Sequence, residues 1–310
     1  MESILIKKGT VIPCDGRRQV LKNTDVLIQD GKIAQIGEVK QKADIEIDAQ
    51  QKAVLPGLIN AHTHLAMVLF RGVADDMELI EWLEQKIWPM ELHLTADHVY
   101  WGAMLGCLEM IKSGTTCFAD QYFFMDRVAK AVKESGIRGV LSYGIIELGD
   151  PERRKSEIVK GTELVQRFHG KANGRILTMY GPHAPYTCSK ECLLEVKELA
   201  RKHNVGIHIH VSESEGDIKN TIEFQGERPI KFLEQIGFLG PEVLAAHCVK
   251  VNDEEMRILK QRNVKIAHNP VSNLKLASGI APVARYLREG ITVGIAVSYT
   301  HLTLPTTERV

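Results

Sequence analysis

From residue 54 onward the chain repeats one two-part unit, a short apolar strand followed by a helical stretch, and this alternation limits the fold more than any other feature. The candidate strands are 54–62, 115–120, 139–146, 175–180, 205–211, 243–249, 264–268 and 291–296. Between them lie helical patterns, clearest over 96–112, 126–135 and, behind a Ser189 cap, 189–203. Strands that alternate with helices build a parallel sheet. Eight such units predict an α/β fold, a (β/α)8 TIM-type barrel, whose working residues sit where strands run into loops.

Residues 1–54 have a different rhythm. Short β-rich runs (4–6, 10–12, 25–29, 32–36 and 45–48) follow one another without helices, and Asp30-Gly31 is a hairpin turn signal. A small antiparallel N-terminal β domain over 1–54 is expected, with the barrel over 55–296.

The ends of the barrel strands carry the chemistry. The first runs through Pro56-Gly57 into His62-Thr63-His64. In a strand, alternate side chains share a face, so the two imidazoles sit about 7 Å apart at Cα and can close on one ion. The second strand ends in Asp120, the fourth runs into His183, the fifth ends His208-Ile209-His210-Val211-Ser212-Glu213, the sixth in His247 and the seventh in His268. Imidazoles at one end of successive strands are costly to bury without a purpose. His210 is favoured over His208 as a third ligand because Glu213 lies just beyond it. His208, one layer deeper, reads as a buried histidine behind the ligands, as does His268. His247 is open between ligand, hydrogen-bond donor to a reacting group and satisfied strand-end histidine. Cys188 and Cys192 read as buried thiols, and His93, His98, His169 and His203 as surface residues.

Composition narrows the class. Lysine plus arginine and aspartate plus glutamate are both 39, so the electrostatic footprint of a nucleic-acid binder is missing. Six scattered cysteines without a CxxC pair, an N-terminus with lysines at 7 and 8 and no long apolar run predict a cytoplasmic protein with reduced thiols and no membrane segment.

The stretches PGLINAHTH (56–64), FRGVADD (70–76), YGPHAPYTCS (180–189), IHVSES (209–214), AAHCV (245–249) and HNPVSNLKLASGIAPV (268–283) resemble the amidohydrolase superfamily. The resemblance spans residues 1 to about 296 and is closest to the branch of 5′-methylthioadenosine/S-adenosylhomocysteine deaminases and triazine chlorohydrolases. It implies one Zn²⁺ per chain, or another divalent metal such as Fe²⁺, on His62, His64 and His210. It makes Glu213 the donor of a proton to the purine ring nitrogen and His247 the group that orients the attacking hydroxide. Glu91 resembles a ribose-binding residue, His183 a nucleoside contact, and Arg153 or Arg154 a family arginine after the third strand. No lysine ends the fourth strand, where members with two metals carry a carbamylated one, so a single metal is implied.

The chain departs from the family in two places. Ser298 stands where family members have a metal-binding aspartate, and a serine hydroxyl is neither a good zinc ligand nor a base at neutral pH. Residues 297–310 lack the family's pattern and read as a foreign tail on a C-terminally truncated frame, with His301 a weak substitute ligand. Tyr143 stands where some relatives place an arginine for the homocysteine carboxylate, which favours methylthioadenosine-type substrates. The expectation is a Zn-dependent deaminase of adenosine derivatives that takes a small-molecule nucleoside, with no nucleic-acid or membrane partner and with homo-oligomerisation left open. The rivals are a chlorohydrolase, a guanine- or cytosine-type deaminase, and a non-catalytic metal-binding remnant.

Overall fold

The computed structural model describes residues 3–73 and 77–298. The end of FRGVADD (74–76) and most of the C-terminal tail, His301 included, lie outside the described residues. The chain divides into two compact units, Met1–Leu58 and Ile59–Val310.

The first unit is a five-stranded sheet in the order β3-β2-β1-β4, with β5 also on β1. Its strands are β1 (Ser3–Val11), β2 (Leu21–Gln29), β3 (Lys32–Gly37), β4 (Ile45–Asp48) and β5 (Ala53–Val54). Asp30 and Gly31 both take positive φ, 53° and 73°, as the turn joining β2 to β3 requires. The sheet is mixed, which corrects the antiparallel expectation: β4 and β5 run parallel to β1. After β3 the chain crosses to the other side of β1, and such a crossover reverses the sense of pairing. The two runs at 4–6 and 10–12 are one strand, interrupted by a bulge at Lys8 (φ 59°) and an altered register.

The second unit is an eight-stranded sheet with its strands in sequence order. They are β6 (Leu58–Thr63), β7 (Thr115–Tyr122), β8 (Arg138–Ile145), β9 (Ile176–Pro182), β10 (Gly206–Val211), β11 (Val243–His247), β12 (Lys265–His268) and β13 (Val293–Ile295). A parallel bridge between Thr63 and Ser298 brings the chain after β13 back onto β6 and closes the barrel. The run at 54–62 is two strands rather than one: β5 ends at Val54 and β6 begins at Leu58, with Pro56-Gly57 between them. Helices Ala96–Lys112, Met125–Ser135 and Lys190–His203 stand where the pattern placed them. The Ser189 side chain caps the last of these by accepting from the Cys192 N–H.

In β10 the strand period sorts side chains by chemistry. Ile207, Ile209 and Val211 join the core with Cys192, Leu193 and Val196 of the following helix, and His208 and His210 take the opposite face. A second core holds the segment after the first histidine pair, where Leu65 to Phe70 form a 3₁₀ turn against the helix Ala96–Lys112. Gly102 is the point of closest approach. A Cβ built on it would meet the Ala66 carbonyl oxygen at 2.7 Å and Leu69 Cδ1 at 3.1 Å. Gly102→Val should therefore cost about 1–3 kcal/mol through overpacking and lower the thermal midpoint by several degrees, read by circular dichroism; an unchanged midpoint would show that this contact yields freely.

Candidate active site

His62 and His210 are buried and His64 half-buried, and one nitrogen from each lies within 4.8 Å of the others. Their hydrogen bonds assign the tautomers. His64 Nδ1 is 2.6 Å from the Gln121 carbonyl oxygen and His210 Nδ1 is 2.9 Å from that of His183. A carbonyl can only accept, so both Nδ1 atoms carry the hydrogen and both Nε2 atoms are bare lone pairs. These two Nε2 atoms face each other at 3.2 Å. His62 Nε2 is also buried and has no partner. Burial pulls His64 down to about 4 and, with the neighbouring histidines, holds His62 and His210 well below the usual imidazole range, so all three are neutral at pH 7. Two bare imidazole nitrogens and the unpartnered His62 Nε2, gathered within 4.8 Å, fit a divalent cation.

Beside this cluster lie an acid and a fourth imidazole. His247 Nδ1 is 2.7 Å from Asn273 Oδ1 and 3.3 Å from Glu213 Oε1, while its Nε2 is buried without a partner. With Nδ1–H directed at these oxygens, Nε2 is an acceptor. Burial, and then the nearby Asp217 carboxylate, push Glu213 well above the usual carboxyl range. Asp217 also accepts the Glu213 N–H at 2.7 Å, which fixes the turn after β10. That turn and the end of β11 are strained, with Ser212, His247 and Cys248 all at positive φ (52°, 74° and 46°).

Two cavities open near these groups. One of about 60 Å³ is lined by His64, Gln121, His183, Trp88 and Glu91 among others. One of about 820 Å³ shares Trp88, Glu91, Phe123 and Ile146 with it and continues past Tyr143, Arg153 and Phe168. Burial raises the Glu91 carboxyl to about 7, with the Tyr122 hydroxyl opposing the shift. His183 Nδ1 is 3.0 Å from Thr187 Oγ1, whose own hydrogen goes to the Ala184 carbonyl. His183 therefore presents Nε2 as an acceptor. Arg153 lines the large cavity. Arg154 does not, and its guanidinium lies 3.8 Å from Glu195, because consecutive helical residues point about 100° apart. Tyr143 lines the cavity and donates to Glu157 Oε2 at 3.0 Å.

Sequence reasoning passed over four contributors: Asn273 and Asp217, which hold His247 and Glu213, Gln121, whose carbonyl holds His64, and Ser142 behind His208. Asp217 carried a signal, since Ser214 and Asp217 stand three apart at a helix start, where the Ser214 side chain accepts the Asp217 N–H. A main-chain carbonyl leaves no such signal.

Residues 53–299 match the model of the Amidohydrolase family. A 5′-deoxyadenosine deaminase from Methanosarcina acetivorans is 53% identical over 294 residues, covering 94% of this chain and 68% of the relative. A 5-methylthioadenosine/S-adenosylhomocysteine deaminase from Thermoanaerobacter pseudethanolicus is 48% identical over 295 residues, covering 94% and 68%. Among solved structures, an adenosine deaminase from Xanthomonas campestris with bound zinc superposes with a TM-score of 0.89 at 30% identity, covering 95% of this chain and 69% of that one. The chain belongs to the amidohydrolase family, and it is a hydrolytic aminohydrolase. The histidine cluster and the zinc in that neighbour together indicate a divalent metal.

The purified chain should bind a divalent ion, and His62→Ala or His210→Ala should abolish the binding, since two imidazoles hold such an ion weakly. Elemental analysis after gel filtration reads this directly; full metal retention by both variants would overturn the ligand assignment.

Proposed function

We propose that this chain hydrolytically deaminates adenosine derivatives with an uncharged 5′ end, 5′-deoxyadenosine or 5′-methylthioadenosine ahead of S-adenosylhomocysteine, with Zn²⁺ held by His62, His64 and His210. The observation that carries the reading is a buried carboxyl, Glu213, set 3.3 Å from His247 beside three clustered imidazoles, where burial favours its protonated form. Zn²⁺ bound there supplies Lewis acidity that brings the ionisation of water from about 16 to about 7.

The chain's own groups handle the protons. Attack of water on the amino-bearing ring carbon pushes an electron pair onto the adjacent ring nitrogen, and Glu213 donates its proton there. The resulting carboxylate takes a proton from the added oxygen and passes it to the amino group. As the C–N bond breaks, the remaining proton of the added oxygen passes to the Glu213 carboxylate, so ammonia leaves, the ring carbonyl stands in its place and the Glu213 acid is restored. His247, drawn down to about 3 by burial, stays neutral, and its Nε2 orients the water as an acceptor. Ser298 offers no base at this position, which leaves the proton relay to Glu213.

Substrate class follows from the cavities. With the base against His64 and His183, the shared wall at Glu91 and Trp88 meets the ribose, and an ionised Glu91 accepts its hydroxyls. A triazine has no hydroxyls to offer. The 5′ substituent enters the large cavity among Leu92, Phe124, Leu148 and Phe168. The Tyr143 hydroxyl there is already engaged by Glu157, so it does not grip a homocysteine carboxylate; of the cations lining that cavity, Lys160 is paired with Glu157, which leaves Arg153 and Arg167 to meet one.

Glu213→Gln should lose on the order of 10²–10⁴ in kcat, the usual worth of a positioned acid, with metal content unchanged. Ammonia release at unaltered rate would remove Glu213 from the proton path. In the same assay 5′-deoxyadenosine and 5′-methylthioadenosine should exceed S-adenosylhomocysteine in kcat/KM. Arg153→Leu should depress only the last. Chloride release from a chlorotriazine without any ammonia from nucleosides would replace this reading with the chlorohydrolase one.

Glu91 adds a pH test. Its carboxyl is raised to about 7 and binds hydroxyls best as the anion, so KM for 5′-deoxyadenosine should rise as pH falls through that value. Glu91→Gln should flatten this dependence; an unchanged KM profile would show that Glu91 does not hold the ribose.

A further inference from the structure

We infer that His208 and Ser142 are positioning residues that set the tautomer of His62 and so keep its Nε2 free to bind metal, an inference that rests on the metal reading above. His64 and His210 have main-chain carbonyls on Nδ1, but His62 does not. Its Nδ1 lies 2.7 Å from His208 Nε2, a contact between two rings either of which could donate. The direction is decided further back. His208 Nδ1 is 3.3 Å from Ser142 Oγ, and Ser142 Oγ is 2.7 Å from the Asp120 carbonyl oxygen. That carbonyl cannot donate, so the serine hydrogen points to it and the Ser142 lone pairs face His208. His208 then carries its hydrogen on Nδ1 and accepts at Nε2, His62 donates from Nδ1, and the lone pair of His62 falls on Nε2. Reversing the chain would put the hydrogen on His62 Nε2, inside the cluster, and remove one ligand. His62, His208 and Ser142 are all fully buried, so water does not supply the missing direction.

Removing such outer hydrogen-bond partners typically weakens metal affinity about 10–100-fold. His208→Leu should show that loss in a chelator competition with Zn²⁺, and His208→Gln, whose Oε1 can accept from His62 Nδ1–H, should recover most of it. Ser142→Ala, a smaller change, should weaken affinity several-fold. In the metal-free full chain, ¹⁵N–¹H correlation spectra of the imidazoles should show His62 protonated at Nδ1, and a mixed or reversed tautomer in Ser142→Ala. A folded His208→Leu with wild-type affinity would overturn the inference, as would His62 protonated at Nε2 in the wild type. If His208→Leu does not fold, wild-type affinity and an unshifted His62 tautomer in Ser142→Ala overturn it instead. A wild type that binds no divalent ion would refute the metal reading, while the tautomer spectra would still decide the relay.

Discussion

A neutral imidazole has one N–H and one lone pair, and where the first is anchored decides where the second points. The site depends on this constraint three times over. His64 and His210 anchor their N–H groups on the Gln121 and His183 carbonyls, and His62 anchors on His208. What remains is a set of lone pairs at close range in a buried place, an arrangement that a cation stabilises and that no other group among the described residues relieves. Gln121 lies in β7, next to β6, and His183 just past the end of β9, next to β10, so the barrel itself aims the rings. No flexible loop is needed to bring the three nitrogens together.

Much of this was legible in the chain because barrel strands write their geometry as period two. In β10 the alternation Ile207-His208-Ile209-His210-Val211 separates an apolar face from an imidazole face, and the structure keeps that separation. The helices at 96–112 and 190–203 were equally plain, since their caps and apolar stripes are local. The N-terminal sheet was misread for a physical reason: short strands announce their existence but not their partners, and the crossover that makes β4 and β5 parallel to β1 is a property of chain path. At the site, side chains could be read and their anchors could not. Gln121 serves through its carbonyl, which every residue has, and Ser142 reaches His208 from the middle of β8, where a lone serine among Val140, Leu141 and Ile145 carries no signal of its own.

Glu213 illustrates how environment assigns opposite tasks to like groups. Glu213 and Asp217 are four apart and both buried, and burial raises both, Asp217 only to about 6. The difference lies in hydrogen bonding. Asp217 accepts from the Glu213 N–H and from Thr221 Oγ1, bonds that favour its anion, whereas Glu213 meets only a longer contact, 3.3 Å from His247 Nδ1, against burial and the charge of Asp217. Asp217 is thus the more readily ionised of the two, and Glu213 the one that keeps its proton to higher pH. The same carboxylate that ties down the turn also holds the proton on the group the turn presents.

The seam of the barrel runs through the same few residues. The His62 carbonyl accepts from the Val297 and Ser298 N–H groups, the His64 N–H donates to the Ser298 carbonyl, and Asn60 Oδ1 lies within 3.3 Å of the N–H groups of both His62 and Val297. The strand that carries two of the three clustered imidazoles is thus also the strand on which the sheet closes. Any ligand that binds only the closed arrangement stabilises it by mass action. A cation bridging His62, His64 and His210 would therefore tie β6 to β10 across the interior while the backbone ties β6 to the chain after β13 along the wall. Position 298 matters here through its main chain whatever its side chain is, which explains how a serine can occupy it and leave the barrel intact. The closure is a backbone property, and the chemistry of that position is a separate one.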